Sequence, residues 1–346
     1  MSGQRASLNC VSNVNRDGGS CGNGVDGWQT MCTLIVLHRC VAGRPLVVAA
    51  NRDEFLDRPA EDMALRSSRT GPILSPLDLE AGGTWVGLSQ RGVFAGLTNL
   101  RPLEERPLEE RPHQEEEGSS NQRVVGQEPL RSRGGVVMAA LEAENAAEAV
   151  RALSQLEEAA YNPFQLLVAD GRDAWLIVYR DRPQAIELEP GAHVVGNVED
   201  ERIAAVLGTT GILERQASGS QRRSGGTEFP GFEGVEGLID SEEPRVLKLT
   251  RIRERVEKMV TEPGIDLFEG LARVCREHVD DEGIQNPLEA TCVHIADRYG
   301  TRSSLLLELS EQPDASRMWT TDGPPCERPF DNRSPLLKDL FEQKRA

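Results

Sequence analysis

The chain has 346 residues, 38% of them hydrophobic, enough to build the core of one large domain or two ordinary ones. Its 56 acidic against 39 basic residues give a net charge of −17, which argues against a general nucleic-acid binder because the phosphate backbone requires clustered Lys and Arg. No run approaches the roughly 18 apolar residues of a membrane span, and residues 1–30 lack the apolar stretch of a signal peptide, so the expectation is a cytoplasmic protein without stable membrane insertion.

Residues 1–30 are rich in Gly, Asn and Ser. They contain "CGNGVDG", which satisfies GxGxxG on paper but follows no strand and opens no helix, so it carries no dinucleotide reading. This segment is expected to be a disordered extension, or an upstream start not used in the cell. From Met31 the texture changes. "CTLIVLHRCV" and "PLVVAANRDEF", joined at "AGR", predict an antiparallel hairpin, and "TWVGLS", "QRG" and "VFAGLTN" repeat the plan. Next comes "RPLEERPLEERPHQEEEGSSNQ", a tandem of "RPLEE" whose charge and prolines mark a solvated insertion over about 102–131.

"SRGGVVMAALEAENAAEAVRALSQL" places Val137, Leu141, Ala149 and Leu153 near helical spacing around a break at "EAEN", predicting two consecutive helices that cover a sheet. "FQLLVADG", "AWLIVYRD", "AIELEPG" and "HVVGNV" predict a second β region. "DERIAAVLGTTGILERQ" starts as a helix, and the Gly and Ser content around 208–245 predicts a second mobile insertion. "PRVLKLTRIRERVEKMV" and "DLFEGLARVCREHV" are amphipathic helices; "TCVHIADRYGTRSSLLLELS" is a last hairpin, continued by "RMWTTDG". This order fits one α+β layered domain over 31–346, with helices covering antiparallel sheets.

The seven cysteines, at 10, 21, 32, 40, 275, 292 and 326, form no CxxC pair, and the five histidines are dispersed, so neither a disulfide scaffold nor a structural metal is expected. The chemistry-bearing residues are elsewhere. "ANRDE" closes an apolar strand with four polar groups, and in an extended chain Asn51 and Asp53 share one face while Arg52 and Glu54 share the other. One pair then points inward, where a buried charge needs partners; the alternative is a strand-end turn with solvated charges. Asn99 and Asn197 likewise close apolar strands, and Arg302 follows a turn into "LLLEL". If the strand ends converge, they surround Cys32 at the head of the first strand.

An N-terminal Cys carries its own base, because an α-amino group titrating near ~7.7–8.0 takes the thiol proton at neutral pH. Neighbouring Arg residues favour the thiolate, Asp53 orients the amine and Asn carboxamides donate to a tetrahedral oxyanion. With residues attached ahead of Cys32 the amine is an amide and the base is lost. The expected beginning is therefore Met31, with removal of that Met leaving Cys32 first.

Through "MCTLIVL", "ANRDEFLDRP", "GGTWVGLSQRGVFAGLTNLRP", "SRG", "NPFQLLVADG", "HVVGNV" and "YGTRSS" the sequence resembles the NRDE family, also called the transport and Golgi organisation protein 2 family, over residues 31 to about 310. The resemblance implies a four-layer αββα sandwich like that of the N-terminal-nucleophile hydrolases. It also implies a likeness to the choloylglycine hydrolase and penicillin acylase group, in which a Cys following the initiator Met attacks an amide. That pattern implies the site residues Asn51, Asp53, an oxyanion Asn at Asn197 and Arg302. The Arg it places just before Asn51 is Ala50 here, and Arg52 lies on the same pleat face. The wider family is linked to secretory-pathway organisation, acyl-CoA or lipid homeostasis and haem trafficking.

The catalytic set expected is thus Cys32, Asn51, Arg52, Asp53, Asn99, Asn197 and Arg302, in an amidohydrolase or acyltransferase acting on a small amide or acyl substrate without a cofactor. The alternative is a non-enzymatic carrier of haem, acyl-CoA or a related amphipathic ligand in the same pocket. A third reading makes the acidic loop the working surface of an interaction protein.

Overall fold

The computed structural model describes residues 32–100, 130–197 and 244–342, except positions 263, 265, 280 and 285, with residue 282 described by its backbone alone. The N-terminal extension with Met31, nearly all of both expected insertions and the helix expected from "DERIAAVLG" lie outside the described residues.

The first half of the fold is strand-built: β1 (Thr33–Val41), β2 (Arg44–Phe55), β3 (Ala60–Ser68), β4 (Gly71–Asp78), β5 (Val86–Ser89) and β6 (Phe94–Asn99). Two helices follow, α1 (Gly134–Leu141) and α2 (Ala146–Leu153), then β7 (Phe164–Ala169), β8 (Ala174–Tyr179), β9 (Pro183–Glu187) and β10 (Gly191–Val195). The last part holds α3 (Pro244–Thr261), α4 (Leu267–Arg276), β11 (His294–Ile295), β12 (Tyr299–Leu309), β13 (Arg317–Asp322), β14 (Asp331–Asn332) and α5 (Ser334–Glu342).

These strands form two seven-stranded sheets. The first has the order β10-β1-β2-β12-β13-β14, with β11 paired to β12, and the second runs β3-β4-β5-β6-β7-β8-β9. The pairings are antiparallel in both. The two sheets face each other: a Cβ added at Gly96 of β6 would lie 3.1 Å from Leu34 Cδ1 of β1. α3 and α4 cover the outer face of the first sheet and contribute Leu249, Ile252, Phe268 and Leu271 to its core. α1 and α2 cover the second sheet with Val137, Leu141, Ala149 and Leu153. The result is the expected four-layer αββα sandwich.

Local chemistry explains the helix starts. Asn145 accepts a hydrogen bond from the Glu148 backbone N–H and so starts α2 after the "EAEN" break. Asp266 does the same for α4, accepting from Phe268 and Glu269. The hairpins expected around "AGR" and "QRG" are β1–β2 and β5–β6. β3, β4, β14 and α5 are additions to the sequence reading. β4 contains Pro72 and Pro76, which ordinarily argue against a strand, and β3 is a mostly half-buried sheet edge without clean apolar alternation. No helix among the described residues is long and apolar enough to cross a membrane.

Candidate functional site

Register brings the strand ends together. Thr33 pairs with Asn51, so Cys32 stands at the β1 end beside the Arg52 side of β2. Leu34 pairs with Val195, which carries the end of β10 to the same edge, and Thr301 of β12 pairs with Asp53. The second sheet joins there through β6: Thr98 Oγ1 and Gln165 Nε2 both donate to the Gly196 carbonyl, and Asn197 Nδ2 donates to the Asn99 carbonyl.

The pleat then divides "NRDE" between two environments. Arg52 and Glu54 face the gap between the sheets, where with Cys32, Asn99, Thr84, Trp85, Arg58 and Arg133 they line a cavity of about 360 Å³. Asn51 and Asp53 point into the helical layer. Both hydrogens of the Asn51 carboxamide are taken, by the Cys275 carbonyl at 3.0 Å and the Thr291 carbonyl at 2.8 Å, while its oxygen accepts from Ser304 Oγ at 2.8 Å. Asn51 therefore braces β2 against the end of α4 and the segment before β11, and its amide is not free to meet a ligand.

Asp53 is fully buried. It accepts from Thr301 Oγ1 at 2.6 Å and faces Lys248 Nζ of α3 at 3.7 Å, an ion pair beyond hydrogen-bond length. Desolvation raises its pKa to about 6, against the opposing pull of Lys248 and Thr301. Burial lowers the pKa of Lys248, and the charges of Asp53 and Cys32 oppose that.

On the cavity side, burial pushes the Cys32 thiol up to about 12, Asp53 adds to the rise, and Arg52 acts against it. The Arg52 guanidinium stacks 4.3 Å above the Trp85 ring and lies 3.5 Å from Glu54 Oε2. Arg133, just ahead of α1, is anchored through the Pro163 carbonyl at 3.3 Å; burial lowers its pKa, while Cys32 and Glu54 oppose the shift. Arg58 is held by Asp78 at 2.8 Å and by Glu80 at 3.3 Å. The loop carrying Thr84 and Trp85 crosses the start of α1 at van der Waals limit: a Cβ on Gly83 would stand 2.7 Å from Gly134 Cα. Two glycines at that crossing let the backbones approach and fix one wall of the cavity.

Of the seven residues expected to converge, Cys32, Arg52 and Asn99 share the cavity. Asn197 touches it through Asn99, and Asn51 and Asp53 lie behind the β2 pleat. Arg302 falls at a β-bulge between Thr301 and Ser303, which turns its guanidinium onto the Leu56 carbonyl and into an adjoining pocket that shares the Arg52–Trp85 wall. The sequence reading passed over Arg58, Trp85, Arg133 and Lys248. "SRG", "GGTW" and "DRP" were visible as motifs, but nothing local shows which of their side chains faces Cys32. Lys248 had a signal: a cation on the apolar stripe of Val246, Leu249 and Ile252.

A family model for Transport and Golgi organisation 2 matches residues 31–318. The chain belongs to this family. Among its relatives, the Transport and Golgi organization 2 homolog of Mus musculus is 32% identical over 161 residues, 44% of this chain and 50% of the mouse protein. The Homo sapiens homolog is 34% identical over 166 residues, with the same shares, and that of Bos taurus 28% over 273 residues, 76% of this chain and 81% of the bovine one. The chain thus spans about half the length of the mouse and human family members it matches. Similar solved structures include a mutant conjugated bile acid hydrolase from Clostridium perfringens, with a TM-score of 0.47 and 11% identity, covering 90% of this chain and 94% of that one. Another is a Caenorhabditis elegans ortholog of N-acylethanolamine-hydrolyzing acid amidase, with a TM-score of 0.41 and 13% identity, covering 85% of this chain and 100% of that one.

Proposed function

We propose that this family member is an amidohydrolase or acyltransferase of the N-terminal-nucleophile type, with Cys32 as nucleophile on a small amide or acyl substrate. The observation that carries the reading is the place of Cys32 in the wall of a polar inter-sheet cavity beside Arg52, with Arg133 and Asn99 among the other lining residues. Once the Cys32 amine is free, it takes the thiol proton and the thiolate attacks the substrate carbonyl. The leaving amine departs with a proton from the α-ammonium, and water or a second acceptor then takes the acyl group. Arg52 favours the thiolate, and Asn99 is one of two carboxamides, with Asn162, that line the same cavity as the sulfur. Asn51 and Asp53 act as positioning residues through the β2 backbone and the helical layer. The cavity wall holds Arg52, Arg58, Arg131 and Arg133 against Glu54 and Asp78, which favours a substrate bearing an anionic group.

The test compares the full chain with a chain begun at Met31, after intact mass shows Cys32 as first residue. A thiol-directed acylating probe is expected to add one acyl mass at Cys32 only in the shorter chain, and to spare Cys32→Ala. No acylation of Cys32 when its amine is free overturns the reading.

A second reading is supported by the thiol itself. With its pKa raised to about 12, Cys32 is a neutral cavity wall while its nitrogen remains an amide. The protein in that form is a carrier of haem, an acyl-CoA or a related amphipathic anion. Saturable binding of acyl-CoA or haem to the full chain, weakened by Arg133→Ala, separates this reading from the first.

A further inference from the structure

A second cluster of reactive side chains lies outside the cavity. Cys292 lies in a bend and His294 opens β11, on either side of the buried Val293 just ahead of β12, and their side chains meet. The turn "DGPPC" after β13 brings Cys326 to meet them, closed by hydrogen bonds from the Glu327 and Arg328 backbone N–H groups to the Pro324 carbonyl. Cys292 Sγ and Cys326 Sγ are 3.5 Å apart, and His294 Nε2 lies 3.6 Å from the first sulfur and 3.1 Å from the second.

We propose that Cys292, His294 and Cys326 bind one Zn²⁺ ion through two thiolates and an imidazole, tying the entry of β12 to the loop that follows β13. Tetrahedral Zn²⁺, with Zn–S of about 2.3 Å and Zn–N of about 2.0 Å, sets its ligand atoms roughly 3.5–3.8 Å apart. The three donors already stand close to that spacing, so binding needs shifts of a few tenths of an ångström and the loss of two thiol protons to solvent. Two soft thiolates and an imidazole select Zn²⁺ over Mg²⁺ or Ca²⁺, which take oxygen ligands. Cys292 is buried, whereas His294 and Cys326 are half-buried, so the ion has an entry path and its fourth position faces water. Glu327 Oε1, 4.0 Å from His294 Nδ1, is placed to orient the ring as outer-shell carboxylates do for zinc-bound histidines.

The site has a structural consequence. The Thr291 carbonyl receives Asn51 Nδ2, and the Val293 N–H donates to Thr301 Oγ1, which donates in turn to Asp53. An ion on Cys292 and His294 therefore clamps the segment that holds the two polar residues of β2 that point into the helical layer. This holds whether or not Cys32 is a nucleophile.

The test is a titration of the full chain, reduced and freed of metal, with Co²⁺ and then Zn²⁺. One equivalent of Co²⁺ is expected to give the visible bands of a tetrahedral ion with ultraviolet thiolate-to-cobalt charge transfer, both erased by one equivalent of Zn²⁺. Cys326→Ser and His294→Asn, checked for folding by circular dichroism, should weaken Co²⁺ binding by about a hundredfold or more, whereas Cys40→Ser should leave it unchanged. Absence of a tetrahedral spectrum from the unsubstituted chain, or a spectrum indifferent to Cys326→Ser, overturns the site. Recovery of Cys292 and Cys326 as a disulfide-linked peptide pair from freshly isolated protein overturns it as well.

Discussion

Asp53→Asn perturbs the most deeply buried charge among the described residues. Lys248 is 3% exposed and Asp53 0%, with 3.7 Å between Nζ and Oδ2. Asparagine keeps an oxygen for Thr301 Oγ1, so the change isolates the loss of negative charge opposite Lys248. Removing one partner of a buried pair leaves the other charge uncompensated, which costs about 3 kcal/mol at the lower end of such measurements. In a domain of this size that lowers Tm by roughly 6–12 °C, at about 2–4 °C per kcal/mol. Lys248→Met should cost a comparable amount, and the double variant should recover most of the loss, since packed apolar groups replace a buried pair with little penalty. Thermal unfolding of the four proteins by circular dichroism at neutral pH completes the cycle. Additive single losses would show that the two residues do not act as a pair and would refute the reasoning.

Gly83→Ala places a Cβ 2.7 Å from the Gly134 backbone and should cost about 1–3 kcal/mol, whereas at Gly135 no atom lies within 4 Å and Ala should raise Tm slightly; equal effects at the two sites would count against the close crossing. Asn51→Ala strips donors from two carbonyls and an acceptor from Ser304, for a loss of about 2–4 kcal/mol. Amide exchange around 291–294 should quicken with it, and unchanged protection there would show that Asn51 does not brace the segment. Arg52→Met removes the guanidinium over Trp85 and the positive charge that favours the Cys32 thiolate. Alkylation of Cys32 should slow, alongside altered Trp fluorescence; an unchanged alkylation rate would place Arg52 out of electrostatic reach of the sulfur.

The sequence by itself determined the strands and helices whose apolar residues repeat at the period of the element: β1, β2, β5 to β8, β10, β12 and the helices α1 to α4. It determined too that polar residues close several apolar runs, though at the end of β2 those residues stay buried. It could not reveal β3 or β4, where exposure on one side and prolines on the other erase the alternation that marks a strand. Tertiary structure decided which polar strand ends share a space. Register sets Cys32 beside Arg52, the pleat sends Asn51 and Asp53 to the opposite layer, and a bulge turns Arg302 aside. Arg133, just ahead of α1, reaches the cavity and Lys248 of α3 reaches Asp53 from far along the chain, and Cys326 meets Cys292 across 34 positions, with only the short "CVH" to hint at it. Local periodicity records which face of an element is buried. Which buried faces meet depends on how the two sheets and their helices stack, and only the folded chain settles that.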